Sequence, residues 1–325
     1  MKRNSILRLA LAMPFAFALA SMAHGQGAKD YPARSVRLVA PFASGSTSDT
    51  SARFVAEQLT KTLGHSFVVD NQPGADGRLG MMVVKNAPAD GYTLVQGSWT
   101  NLAVNPVLIK GLPYDPLKDF KPIGAVGRSM LGIAVPRGSR FNTLQDLLTA
   151  ARDQPTKLNF GNFGTGYRLA IEWISNLSGA RFTHVPYKAT SQMNTDLVGG
   201  QLDAAMDGVT SMASLVKSGQ LKLLAVTGDA RHPAFPDVPT VKETYPDMSI
   251  YGWSALMVRA ETPDDITEKL GDAIYRIMGT EDAKVFAQRV GSDLLQLRPS
   301  EIRTFQAGQI DNFRKVADAA GLQAE

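Results

Sequence analysis

Serine, threonine and glycine crowd residues 41–53, which read P-F-A-S-G-S-T-S-D-T-S-A-R. The stretch follows an apolar run at 36–40 that reads as a buried strand. It precedes Ala52, Val55, Ala56, Leu59 and Leu63, apolar residues at helical spacing that stop at Gly64. A strand turning through such residues into a helix aims backbone N–H groups, hydroxyls and the positive end of a helix dipole at one point, a seat for a carboxylate or phosphate. The competing use is local, with Ser48 or Asp49 capping the helix. A second stretch of the same kind, G-N-F-G-T-G-Y-R at 161–168, lies between a short strand at 157–160 and a helix through Leu169, Ile171, Trp173, Ile174 and Leu177 that ends at Gly179. Its spacing, G-x-x-G-x-G, is not the G-x-G-x-x-G of a dinucleotide loop, so it reads as a second anion-holding turn. Two such turns far apart in the chain suggest a cleft closed from both sides.

Two other places carry candidate contacts. S-W-T-N-L-A-V-N at 98–105 follows a strand and offers Trp99 and Asn101, with packing the alternative use of the tryptophan. Asp207 ends a strand at 202–206 and either accepts a hydrogen bond from a ligand or caps the helix of Ser211. Catalytic machinery is missing by motif. The chain has no cysteine, no G-x-S-x-G, no H-E-x-x-H and no G-x-x-x-x-G-K-[ST]. His24, His65, His184 and His232 are widely separated, which disfavours a metal site or a triad. Binding without turnover, and without metal or cofactor, is the better expectation.

The elements that must position these residues alternate. Short strands at 36–40, 65–70 and 92–96 are separated by helical segments, the second of them at 79–86. N-Q-P-G-A-D-G-R-L-G at 71–80 and Asp90-Gly91 mark the turns. That alternation implies βαβ units and largely parallel sheets, whose ligands bind at the carboxyl ends of strands. A three-proline connection at 112–122 leads to two apolar runs within 123–135, broken at Gly127 and Arg128, where the chain is expected to cross to a second lobe. Thr143 starts a helix there, strands follow at 181–185, 202–206 and 221–226, and 248–258 crosses back. Closing helices bury Ile266, Leu270, Ala273, Ile274 and Ile277 on one face, and Ile302, Phe305, Ile310, Phe313 and Val316 on another.

Residues 1–25 carry Lys2, Arg3 and Arg8, a 12-residue apolar run at 9–20 and small residues at 21–25. This is the layout of a secretory leader, cleaved after Ala23 or Gly25, and its run is too short to span a bilayer. The chain has 34 basic and 30 acidic residues; the leader holds three basic and no acidic ones, which leaves 31 against 30, a net +1. The pI of 9.2 therefore does not argue for nucleic acid or a membrane surface. An exported, disulfide-free protein of two lobes is expected in the periplasm.

A series of short segments in order resembles the Bug family, the substrate-binding proteins of tripartite tricarboxylate transporters. They are Tyr31-Pro32, P-F-A-S-G-S-T-S-D at 41–49, V-V-D-N-Q-P-G-A-D-G at 68–77, D-G-Y-T-L at 90–94, Asn105-Pro106, L-P-Y-D-P at 112–116, Asp119-Phe120, H-V-P-Y-K at 184–188, L-A-V-T at 224–227 and D-V-P-T at 237–240. The resemblance covers essentially the whole mature chain. It implies an α/β, two-lobed periplasmic binding protein, a type II-like Venus flytrap in which each lobe is a mostly parallel sheet flanked by helices. The expected division is lobe 1 at 26–127 plus 250–325 and lobe 2 at 128–249. It further implies a monomer that delivers a small carboxylate to membrane permease subunits. Carried over by position, the first loop would contact ligand through Phe42, Ser44, Gly45, Ser46, Thr47 and Ser48, and the second through Asn162, Gly164, Thr165 and Gly166. Tyr187 and Asp207 match positions on the cleft wall.

The chain departs from the family at Ser44-Gly45-Ser46, where P-G-G is common, and at G-N-F-G, 161–164, where G-S-A-G is common. Tyr167, Arg168 and Ala170 stand near a usual histidine. Phe163, Tyr167 and Trp99 add apolar faces, and Arg168 either pairs with a second ligand carboxylate or points to solvent. An aromatic mono- or dicarboxylate of the terephthalate kind is the expected ligand. The rival readings are a binding component that feeds a signalling partner and a hydrolase of carboxylate esters.

Overall fold

In a computed structural model the described residues are 30–187 and 189–324, with the backbone alone at Thr47. The expected leader, Lys188 of the H-V-P-Y-K segment and Glu325 lie outside them. The first elements are β1 (Val36–Ala40), α1 (Thr47–Leu63), β2 (Phe67–Asn71), a 3₁₀ turn (Ala75–Gly77), α2 (Arg78–Lys85) and β3 (Thr93–Ser98). A π-helical turn (Thr100–Val104) and α3 (Asn105–Leu108) follow. β4 (Phe120–Pro136), α4 (Leu144–Asp153), β5 (Asn159–Asn162), α5 (Gly164–Ser178), β6 (Thr183–Pro186), α6 (Thr190–Val198), β7 (Ala204–Gly208), α7 (Val209–Lys217) and β8 (Leu221–Val226) come next. The chain closes with β9 (Tyr251–Arg259), α8 (Asp264–Met278), α9 (Glu281–Val290), β10 (Asp293–Leu294) and α10 (Pro299–Ala319).

Local chemistry explains most boundaries. α1 buries Ala52, Val55, Ala56 and Leu59 and stops at Gly64, whose positive φ of 75° lets its N–H bond back to the Thr60 carbonyl. α4 starts at a reciprocal cap in which Thr143 and Asp146 each satisfy the other's backbone N–H. Strand β1 is buried at every residue but Arg37, as a central strand covered on both faces requires.

The strands run in the order β2-β1-β3-β9-β4-β7-β5-β6, with β8 and β10 also pairing β4. The expected mostly parallel sheets are corrected to a mixed sheet. β1 is parallel to β2 and β3, and β5 is parallel to β6 and β7. The joins of β9 to β3 and to β4, and of β4 to β7, are antiparallel. The reason is connectivity: β4 leaves the first half of the sheet, β9 returns to it, and the two lie side by side in opposite directions. β4 is also one strand and not two runs. Its first part pairs β9 from Phe120 to Met130, and its last part pairs β7 from Leu131. What reads as a break at Gly127 and Arg128 is a register shift between Ala125 and Gly127. A Cβ on Gly127 would stand 2.9 Å from the Asp293 carbonyl oxygen, so the glycine admits β10.

Residues 161–168 are corrected as well. β5 runs to Asn162 and α5 begins at Gly164, so Phe163 alone separates them. These glycines serve close packing: a Cβ on Gly166 would meet Thr100 Oγ1 at 2.7 Å and the Trp99 ring at 2.8 Å. Among the described residues no helix is long and apolar enough to cross a membrane.

Candidate functional site

The start of α1 is tied down before any ligand arrives. Ser46, rather than Ser48 or Asp49, is the N-cap, and its side chain accepts the Asp49 N–H at 3.2 Å. The Asp49 carboxylate in turn accepts the Gly45 N–H at 2.9 Å, Asn71 Nδ2 at 2.9 Å and Arg53 Nε at 3.1 Å. Burial pushes its pKa up, but the bonds from Gly45, Arg53 and Asn71 outweigh that and hold it below the usual carboxylate range. The loop is thus a rigid seat, and the cap leaves the Ser48 hydroxyl to other uses.

Ser48 lies on the wall of a cavity of about 120 Å³ between the two halves of the sheet. Several polar atoms on its wall are buried and have no hydrogen-bond partner: Ser48 Oγ, Ser98 Oγ, Trp253 Nε1 and Asp207 Oδ2. They come from α1, the end of β3, β9 and the end of β7. Orphaned buried polar atoms of this kind, three donors and one acceptor, are costly unless something partners them. Gln96 supports the first of these, its Nε2 donating to the Ser48 carbonyl at 3.0 Å. Asp207 is 1% exposed, and its Oδ1 accepts the Gly208 N–H at 2.7 Å. Burial raises its pKa to about 7, against the Gly208 N–H bond, and beside it the Tyr167 hydroxyl is held well above its ordinary value by burial and by the Asp207 charge.

Aromatic rings close one side. Phe42 from the first half meets Phe163 from the second at 6.0 Å between centroids, Phe163 meets Tyr167 at 6.4 Å, and Tyr167 stands edge-on to Trp99 at 5.7 Å. The two halves are also joined by polar contacts. Thr165 Oγ1 donates to Asn105 Oδ1 at 2.8 Å, and Asp76 accepts the Thr165 N–H. A Cβ on Gly164 would lie 2.8 Å from Asp76 Oδ1. A carboxylate therefore does sit at the start of α5, but it is the protein's own. Burial raises its pKa, opposed by Arg78 and the Thr165 N–H.

Of the residues expected at the site, Phe42, Ser46, Ser48, Trp99, Gly164, Tyr167 and Asp207 line this cavity. Thr47 opens α1. The others are elsewhere. Ser44 and Gly45 are exposed and donate to the buried Asp49 carboxylate. Asn101 is buried and accepts the Ser98 N–H at 2.9 Å, so it shapes the end of β3. Asn162 turns to His184 Nδ1 at 3.5 Å, and Thr165 and Gly166 are taken up by Asn105, Trp99 and Thr100. Tyr187 donates to Asp196 Oδ2 at 2.8 Å. Arg168, one turn into α5, faces a separate cavity with Arg78, Leu108 and Leu322, and Thr165, three residues before it and so on the same helix face, lines that cavity too.

The sequence reading missed Ser98, Trp253 and Arg128, all of which line the cavity. Ser98 was within reach of the strand-end rule, since β3 ends on it. Trp253 and Arg128 sit on the two crossing strands, and the faces those strands turn to the cleft are set by the shifted register of β4 against β9. The Arg128 guanidinium lies 4.2 Å from the Tyr251 ring and 3.4 Å from Asp293. His184 pairs with Glu172 at 3.0 Å, His232 lies against Gly291, and His65 is exposed; among the described residues no group of three acidic, His or Cys side chains could hold a metal ion.

Comparison with known proteins places this geometry. A sequence model of the family described as "Tripartite tricarboxylate transporter family receptor" matches residues 51–322. A UPF0065 protein of Bordetella bronchiseptica is 32% identical over 298 residues, 91% of this chain and 88% of its own length. Among solved structures, an R. palustris protein "with adipate" superposes with a TM-score of 0.87 at 30% identity, covering 91% of this chain and all of its own. The "periplasmic binding protein BugD" superposes with a TM-score of 0.84 at 28% identity, with 91% and 100% covered. The α/β architecture is the fold of periplasmic binding proteins.

Proposed function

The chain belongs to the tripartite tricarboxylate transporter receptor family, and from that premise we propose that it is an exported binding protein that captures a small organic carboxylate in the cavity between its two halves and delivers it to membrane permease subunits. The observation that carries this reading is that Ser48, Ser98 and Trp253, each with a buried hydrogen-bond donor that has no partner, line one cavity at the start of α1. A carboxylate offers about four lone-pair positions and so suits several converging donors, and the helix N-terminus adds a favourable potential. The adipate in the R. palustris structure supports the ligand class. The aromatic wall of Phe42, Phe163, Tyr167 and Trp99 makes aromatic carboxylates of the terephthalate kind the first to try.

The two halves act as lobes, 26–127 with 250–325 and 128–249. In support, β4 exchanges its β9 partner for β7 between Met130 and Leu131, close to the proposed boundary. The leader at 1–25 and the periplasmic relative BugD support export to the periplasm. The protein works as a monomer and binds without turnover. Titration of the mature protein with benzoate, terephthalate and adipate, followed by thermal unfolding, tests the reading: a ligand at a hundred times its Kd adds about 2.7 kcal/mol of stability. Ser48→Ala and Trp253→Phe should each weaken binding by about tenfold, one hydrogen bond to a charged group. A folded protein whose melting none of these carboxylates moves would refute it.

A further inference from the structure

The cavity has a second compartment of different chemistry. Beyond Ser48 and Ser98 it is lined from α1 and the C-terminal segment by Phe54, Val126, Met278, Phe286, Val290 and Leu294, with Ser51 and Thr210, whose hydroxyls donate to the Ser48 and Val290 carbonyls, and Ser292 among them. Phe54 and Phe286 stack face to face at 4.1 Å with their planes 8° apart, an apolar contact that joins α1 to α9. The arm is a built feature. Gly127 lets β10 approach β4, and Thr210 of α7 donates its hydroxyl to the Val290 carbonyl, so the end of α9 is held from the opposite half. Two cations border the arm: Arg128, which lies at the Tyr251 ring and Asp293, and the exposed Arg289, whose guanidinium lies 5.6 Å from the Phe286 ring centre. Arg168, the other arginine considered for a ligand, faces the separate cavity.

Burying a carboxylate among such walls without a cation or several donors is strongly unfavourable, whereas each methylene or ring edge removed from water there is favourable. Resting on the carboxylate reading above, we propose that the arm is the specificity compartment: the ligand carries one carboxylate, held at Ser48, Ser98 and Trp253, and an apolar body, a phenyl ring or a chain of several methylenes, that lies along Phe54 and Phe286. Polar seat and apolar arm together select amphipathic monocarboxylates over dicarboxylates of equal length.

Calorimetric titration of the mature protein with straight-chain monocarboxylates from propionate to octanoate, with phenylacetate, and with the matching dicarboxylates tests this. Affinity should rise about fourfold per added methylene until the arm is full, and a terminal second carboxylate should cancel that gain. Val290→Trp, at a half-buried position, should lower octanoate affinity at least tenfold and leave that of the shortest measurable acid within about twofold, with an unchanged melting curve as the folding control. Phe54→Ala provides the opposite change in volume and should flatten the dependence on chain length. Carboxylates that bind with no dependence on tail length, or dicarboxylates that bind as tightly as their monocarboxylate partners, would overturn the arm while leaving the receptor reading intact. Failure of every carboxylate to bind a folded protein would overturn both.

Discussion

Asp207 shows how one buried side chain couples the cleft to its solvent. Its carboxyl sits at the end of β7 with Tyr167 of α5 and Ser211 of α7 beside it, and burial raises its pKa to about 7. A folded-state pKa above the unfolded one means that the group's contribution to stability is fully present below about pH 4 and is lost as pH rises through about 7. An anionic ligand in the same cavity raises that pKa further. Carboxylate binding should therefore be accompanied by proton uptake near neutral pH, and affinity should fall as pH rises from 6 to 8. Titrations in buffers of different ionisation enthalpy measure the uptake. Asp207→Asn should flatten the profile, and an unchanged slope in that variant would remove Asp207 from the linkage.

Helix α5 illustrates how an element is placed by what it lacks. Gly164 and Gly166 let its first turn press against Asp76, Thr100 and Trp99, contacts that a single Cβ would break. Gly166→Ala must therefore push the helix away from the 99–105 segment. The expected cost is about 1–3 kcal/mol, that of overpacking a close contact, read from urea unfolding. The same shift should change Trp99 fluorescence and weaken ligand binding, since Tyr167 rides on that helix and forms the cleft wall with Trp99. A stability loss with unaltered fluorescence would show that the contact is softer than its geometry.

Across the molecule, closure rests on a few contacts between the halves: Phe42 with Phe163, Thr165 with Asn105, and Asp76 with the Thr165 N–H. β4 runs through both halves, beside β9 in the first and β7 in the second, and supplies a natural hinge, with bulges at 122–127. A Phe163→Ala, Thr165→Val double variant removes two of these contacts and leaves the strands untouched. Without ligand it should scatter X-rays with a larger radius of gyration than the parent chain, and a saturating carboxylate should restore the parent value, because the ligand binds the closed form better and shifts the population by that difference. Equal radii with and without ligand in both proteins would mean that the halves do not open.

What could be read from the chain alone had causes within a few residues. Helix ends at Gly64 and Gly179, the Thr143–Asp146 cap, the buried faces of α8 and α10, and the strand-loop-helix unit at 36–63 follow from local capping and periodicity, and the short ordered segments between Tyr31 and Thr240 pointed to the right family. Half of the cleft was legible for the same reason, since Phe42, Ser46 and Ser48 lie where a strand must turn into a helix. The rest depended on partners far away in sequence. Arg168 lies outside the cleft on the helix face it shares with Thr165, Asp76 took the helix end expected for a ligand, and Trp253 and Arg128 entered the cavity in a register between β4 and β9 that two bulges shift by one residue each. Each one-residue bulge exchanges the faces of the strand until the next one restores them, so which side chains reach the ligand is a property of the assembled sheet and is written in no local stretch of the chain.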